Sequence, residues 1–104
     1  MKTKEAEKKA IDFVRYLQDT RHLIVTEAYL FGSQASGSSQ KWSDIDVCII
    51  SPYFKDHDGI SYLWRERRDE DVRNGIEPVG FGEEEFKDDY PLVREIKQKG
   101  IRIV

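Results

Sequence analysis

The segment Asp44-Ile-Asp46, at the mouth of the apolar run Val47-Cys-Ile-Ile50, constrains this chain more than any other part of its sequence. A run of this length closed by Ser51-Pro52 reads as a β-strand over Asp44 to Ser51, because proline cannot continue a central ladder. Side chains alternate faces along a strand, so Asp44 and Asp46 project to one side and Ile45 and Val47 to the other. One face is then apolar, while the other carries two carboxylates that repel each other and are costly to bury unpaired. Such a strand needs a cover for the first face and a cation for the second. Mg²⁺ suits the second need, since it takes one or two protein carboxylates together with substrate phosphate oxygens.

Upstream of Asp44, with ten residues between, stands Leu30-Phe31-Gly32-Ser33. Gly32 lets backbone approach a phosphate closely, and Ser33 offers a hydroxyl and an N–H where the chain turns into a short helix. A site that transfers a nucleotidyl or phosphoryl group calls for a third acid, because two metals share a set of carboxylates. Glu77 in Ile76-Glu-Pro-Val-Gly-Phe81 is the best candidate, an acid in an apolar strand whose parity it shares with Val79 and Phe81. The expected metal and catalytic residues are therefore Asp44, Asp46 and Glu77, and the expected nucleotide-binding residues are Gly32 and Ser33. Ser43 is either a further member of the nucleotide site or a turn former, and Trp42 either stacks on a base or packs its loop. Trp64 is expected in a core or interface. Cys48 shares parity with Asp46 but, in an apolar run, reads as a small core hydrophobe.

The rest of the chain supplies the cover. Ala6, Ala10, Phe13, Val14 and Leu17 form the apolar stripe of an amphipathic helix over Thr3 to Gln18. His22 to Phe31 is rich in β-branched and aromatic residues and reads as a strand ending at Gly32. A single helix is expected over residues 59–73, an Asn74-Gly75 turn after it, and a strand over Ile76 to Phe81. Glu83 opens an acidic helical turn, and Glu83-Glu-Glu85 with Asp88 and Asp89 reads as a charged face. Pro91 opens a helix through Lys99, Gly100 ends it, and Ile101 to Val104 forms a last strand. Alternating helices and strands imply an α+β fold, a small mixed sheet flanked by helices.

With 104 residues the chain is expected to be one domain, residues 1–104. Twelve aromatics and ten isoleucines are enough for a small core, although charged residues reach 36%. A net charge of −3 argues against binding nucleic acid by bulk charge. No apolar stretch approaches the about 20 residues that span a bilayer, and the charged N-terminus is not a secretory signal. One cysteine excludes an internal disulfide, and His22 and His57 lack metal-ligand spacing. The expected setting is cytoplasmic.

The pattern Gly32-Ser33-x10-Asp44-Ile45-Asp46 resembles the signature of the DNA polymerase β-type nucleotidyltransferase superfamily. The length and the downstream Ile76-Glu77-Pro78-Val79-Gly80-Phe81 segment resemble its minimal nucleotidyltransferase group, the MntA-like antitoxins. Gln34 stands where many relatives carry an arginine, and the third acid is Glu, not Asp. The resemblance implies a polymerase β-like fold, Gly32 and Ser33 on the triphosphate, Asp44 and Asp46 on Mg²⁺, and Glu77 as third ligand or base. It also implies transfer of a nucleoside monophosphate, AMP from ATP, to a hydroxyl of a helical HEPN-type partner toxin. Two other readings stay open: an antitoxin that neutralises its partner by contact, and a small-molecule transferase working as a homodimer.

Overall fold

The computed structural model describes residues 3–36, 44–87 and 90–104. Helix α1 (Thr3–Thr20) precedes strand β1 (Glu27–Phe31), the short helix α2 (Ser33–Ser36) and strand β2 (Ile45–Ile50). A 3₁₀ turn (Pro52–Lys55) leads into α3 (Gly59–Glu66), α4 (Asp69–Arg73), β3 (Ile76–Phe81), α5 (Pro91–Lys99) and β4 (Ile101–Arg102). The sheet order is β3-β2-β1-β4. β1 runs antiparallel to β2 and β4, and β2 and β3 are parallel, joined by the α3–α4 crossover.

Strand parity sorts the side chains as the alternation of β2 predicts. Ile45, Val47 and Ile49 join Ala28 and Leu30 in the larger core, covered by Ala6, Ala10, Phe13, Val14 and Leu17 of α1 and Leu63 of α3. Each large side chain buried there contributes about 1.5–3 kcal/mol. Cys48 and Ile50 face the other way and pack with Phe31, Phe86, and Val93 and Ile96 of α5. Cys48 is a buried free thiol, pushed well above the usual range by its burial and so kept protonated. Asp46 shares this second face, at the end that α5 leaves partly open to solvent.

Four elements differ from the sequence expectation. The strand begins at Glu27, not His22: after α1 closes with Leu23 N–H bonded to the Leu17 carbonyl at 3.0 Å, His22 turns the chain at φ +58°. The segment 59–73 is two helices because Arg67 and Arg68 are extended, with ψ of 130° and 165°. There the Asp71 carboxylate reaches back to the Arg68 N–H at 2.9 Å and restarts the helix. Residues 83–85 form a turn, whose Glu85 carboxylate accepts from the Gly82 N–H at 2.8 Å; Asp88 and Asp89 lie outside the described residues. The last strand pairs only Ile101 and Arg102 with β1. Trp64 is 40% exposed and so lies outside the core, the first of the two places expected for it.

Pro78 is tolerated in β3 because β3 is the edge of the sheet. Its carbonyl points outward and accepts from the Trp64 indole N–H at 2.9 Å, and the Ile76 carbonyl accepts from Arg67 at 3.3 Å. The missing N–H of Pro78 therefore costs no ladder bond. Helix α3 lies against this strand at Gly59, where an added Cβ would come within 2.9 Å of the Gly80 backbone. Backbone cannot swing aside, so Gly59→Ala is expected to lower stability by about 1–3 kcal/mol in urea unfolding.

Candidate active site

The site is assembled at one end of the sheet, where β1 leaves and β2 and β3 enter. Ladder pairing puts Asp46 between Phe31 on β1 and Glu77 on β3, so the Asp46 and Glu77 side chains share a face as immediate neighbours. Asp44 stands one step before β2, beside the Asn74-Gly75 turn. A Cβ at Gly75, which has φ +77°, would lie 3.5 Å from the Asp44 carboxylate. The Gly75 carbonyl accepts from Ile45 N–H at 2.8 Å, starting the parallel ladder directly beneath the acids.

Gly32 turns at φ +75°, and a Cβ there would come within 2.3 Å of Asp46 Oδ2. Its conformation and the carboxylate lying against it both require glycine. Ser33 follows at the start of α2, partly exposed, and Gln34 is buried. Ser43 and Trp42 lie outside the described residues.

The acids act on one another. Burial pushes the Asp46 carboxyl up to about 6, with further contributions from the negative charges of Glu77, Asp44 and Glu95. Glu77 is also raised, first by burial and then by the charge of Asp44 and a hydrogen bond with it, while Arg67 opposes the rise. Asp44, Asp46 and Glu77 thus stand at one end of the sheet near enough for their charges to act on one another, with Glu95 from α5 acting on Asp46 and Arg67 from the α3–α4 break acting on Glu77. Neither of these last two carries a local sequence signal, because each arrives from a separate element.

The nucleotidyltransferase domain family model matches residues 7–103. The chain belongs to that family. This nucleotidyltransferase also resembles two solved structures in fold. One is a candidate nucleotidyltransferase from Sulfolobus solfataricus, at 20% identity and TM-score 0.66, covering 96% of this chain and 80% of that one. The other is a toxin–antitoxin with AMP-PNP, at 19% identity and TM-score 0.62, covering 94% of this chain and 72% of that one. No curated protein matches the chain significantly. The family and the α+β fold are those that the Gly32-Ser33 and Asp44-Ile-Asp46 pattern implies.

The donor set of this nucleotidyltransferase fits a hard divalent cation. Its acids are oxygen ligands that a cation would stabilise in their charged form, which burial first and mutual repulsion second disfavour at Asp46 and Glu77. Among the described residues no group of three His, Cys, Asp or Glu side chains is placed to hold a metal ion together, so the fit rests on the adjacent Asp46 and Glu77 carboxylates, and Mg²⁺ needs only one or two.

A pH test isolates the strain at Asp46. Its carboxyl holds a proton more tightly folded, near 6, than its ordinary 3.8, so ionisation opposes folding. The opposition is complete above pH 6, shrinks as pH falls toward 4, and vanishes below. In chelator at pH 8, Asp46→Asn is expected to be more stable than the parent by about 1–2 kcal/mol, allowing for solvent screening at a half-buried group. Urea unfolding of both proteins at pH 8 and pH 4 should show that advantage at the higher pH only.

Proposed function

We propose that this nucleotidyltransferase transfers a nucleoside monophosphate, AMP from ATP, to a hydroxyl on a partner protein. The observation that carries the reading is the pairing of Asp46 with Glu77 in the ladder, with Asp44 near enough to act on Glu77 and Gly32 under the Asp46 carboxylate. Gly32 and Ser33 would hold the β- and γ-phosphates, with Ser43 assigned to the same nucleotide site. Asp44, Asp46 and Glu77 would hold Mg²⁺, which when bound supplies positive charge to the triphosphate oxygens.

The acceptor oxygen attacks the α-phosphorus, forming an O–P bond as the bond from that phosphorus to the β-phosphate oxygen breaks. Pyrophosphate leaves, and Glu77 takes the hydroxyl proton. Placement of the groups and charge balance account for most of the rate, as in other phosphoryl transfers.

The adenine nucleotide and the partner are supported by the structural likeness to a toxin–antitoxin with AMP-PNP. A helical HEPN-type protein, with a tyrosine as acceptor, is the partner the family resemblance implies. The same likeness favours a second reading, an antitoxin that neutralises its toxin by contact alone. Calorimetric titration of the four nucleoside triphosphates, with and without Mg²⁺, on the parent and on Asp46→Asn separates the two. Mg²⁺-dependent binding of ATP that Asp46→Asn loses is the expected result. No binding at millimolar triphosphate, with and without the partner, would move the contact reading to first place.

A further inference from the structure

We propose that Arg67 is the built-in counter-charge of the acidic site, a guanidinium held beside Glu77 that offsets the carboxylates until a divalent cation takes over that role. The inference rests on the reading of Asp44, Asp46 and Glu77 as the cation-holding acids.

Arg67 lies at the break between α3 and α4, where its extended backbone takes it off the helix surface. Its guanidinium carbon sits 3.9 Å from the Trp64 ring centroid, and its Nη1 donates to the Ile76 carbonyl at 3.3 Å. Trp64 in turn donates to the Pro78 carbonyl at 2.9 Å. The stacked pair is thereby fastened to the backbone on both sides of Glu77. A guanidinium stays charged at every relevant pH.

Among the described residues, the positive group that acts on Glu77 is Arg67, while Asp44, Glu77 and Glu95 add negative charge at these acids. The neighbouring Arg68 pairs with Asp12, Glu70 and Asp71. Arg67 acts on Glu77 through its charge, whereas the hydrogen bond that affects Glu77 is with Asp44.

Coulomb energy scales with the product of charges, so a fixed positive group opposes a divalent ion twice as strongly as a monovalent one. Neutralising Arg67 should therefore tighten binding of a divalent cation by about 3- to 10-fold at low ionic strength, with the difference shrinking as salt is added.

The test titrates Mn²⁺ alone into the full chain by calorimetry, with the parent, Arg67→Gln, Arg67→Met and Arg67→Lys. Both neutral variants should bind more tightly than the parent, and Arg67→Lys should bind like it. A purely structural bracket would move affinity the other way, weakening binding in all three variants. Circular dichroism identifies the folded variants, and Arg67→Met keeps an apolar stem against Trp64 should Arg67→Gln fail to fold. A folded neutral variant that binds Mn²⁺ no more tightly than the parent overturns the proposal, including the case in which neither binds. Asp46→Asn judges the underlying reading separately: Mn²⁺ binding unchanged in that variant would remove the acids as the cation site, whatever Arg67 does.

Discussion

Asp46→Asn should abolish nucleotidyl transfer while leaving a protein that folds at least as well as its parent. The substitution keeps the size of the side chain and its place between Phe31 and Glu77 in the ladder. It removes one negative charge from a face that already holds Asp44, Glu77 and Glu95. That charge opposes folding but is what a cation and a triphosphate need, so stability and turnover should move in opposite directions. A loss of about 10³-fold is the scale expected when a preorganised charged group leaves a reaction centre. The measurement is transfer of labelled nucleotide to the partner protein, alongside urea unfolding of the same preparations. Turnover within ten-fold of the parent would show that Asp46 is not part of the machinery.

The second large effect concerns the fold. Asp71 is 1% exposed, and its carboxylate accepts from Arg68 three times: from the backbone N–H and Nε at 2.9 Å each, and from Nη2 at 3.0 Å. Arg68 also reaches Asp12 on α1 at 2.8 Å and lies over the Tyr16 ring at 4.5 Å. This cluster ties α4 to α1 across the crossover that delivers β3, and with it Glu77. Removing one member of a buried ion pair leaves the other without its partner, at a cost of about 3–5 kcal/mol. Because Arg68 keeps Asp12 and some solvent access, Asp71→Ala should sit near the lower end of that range, about 3 kcal/mol. For a domain of this size that is a large share of total stability. Thermal and urea unfolding of Asp71→Ala and Asp71→Asn would check it, with the Asn variant, which keeps an acceptor for the Arg68 N–H, expected to lose less.

The central strand pair was legible because parity is rigid. Once Asp44 and Asp46 share a face, Ile45 and Val47 must enter the core, and the structure buries both fully. The Gly32 turn was legible for the same local reason, as were the Asn74-Gly75 turn and the limits of α5. What local pattern could not supply was the meeting of distant elements. Arg67 falls inside the segment 59–73 expected to be one helix, yet a break in backbone direction carries it to the edge of the sheet. Glu95 carries no signal within its own helix and acts on Asp46 because α5 packs on the face that holds it. The misplaced start of β1 has a similar origin: Ile24 and Val25 have strand-like composition, but His22 is spent turning the chain so that Leu23 can enter the core.

The sealing of β3 by Trp64 and Arg67 gives the sheet a polarity of growth. Two outward acceptors of that flank are occupied and the donor between them is replaced by a proline ring, so an incoming strand would find no template there. The opposite flank is β4, with two residues paired to β1. Any lengthening of this sheet by another chain, whether in a regulated complex or in polymerisation of a destabilised variant such as Asp71→Ala, is directed to the β4 side and away from the acids.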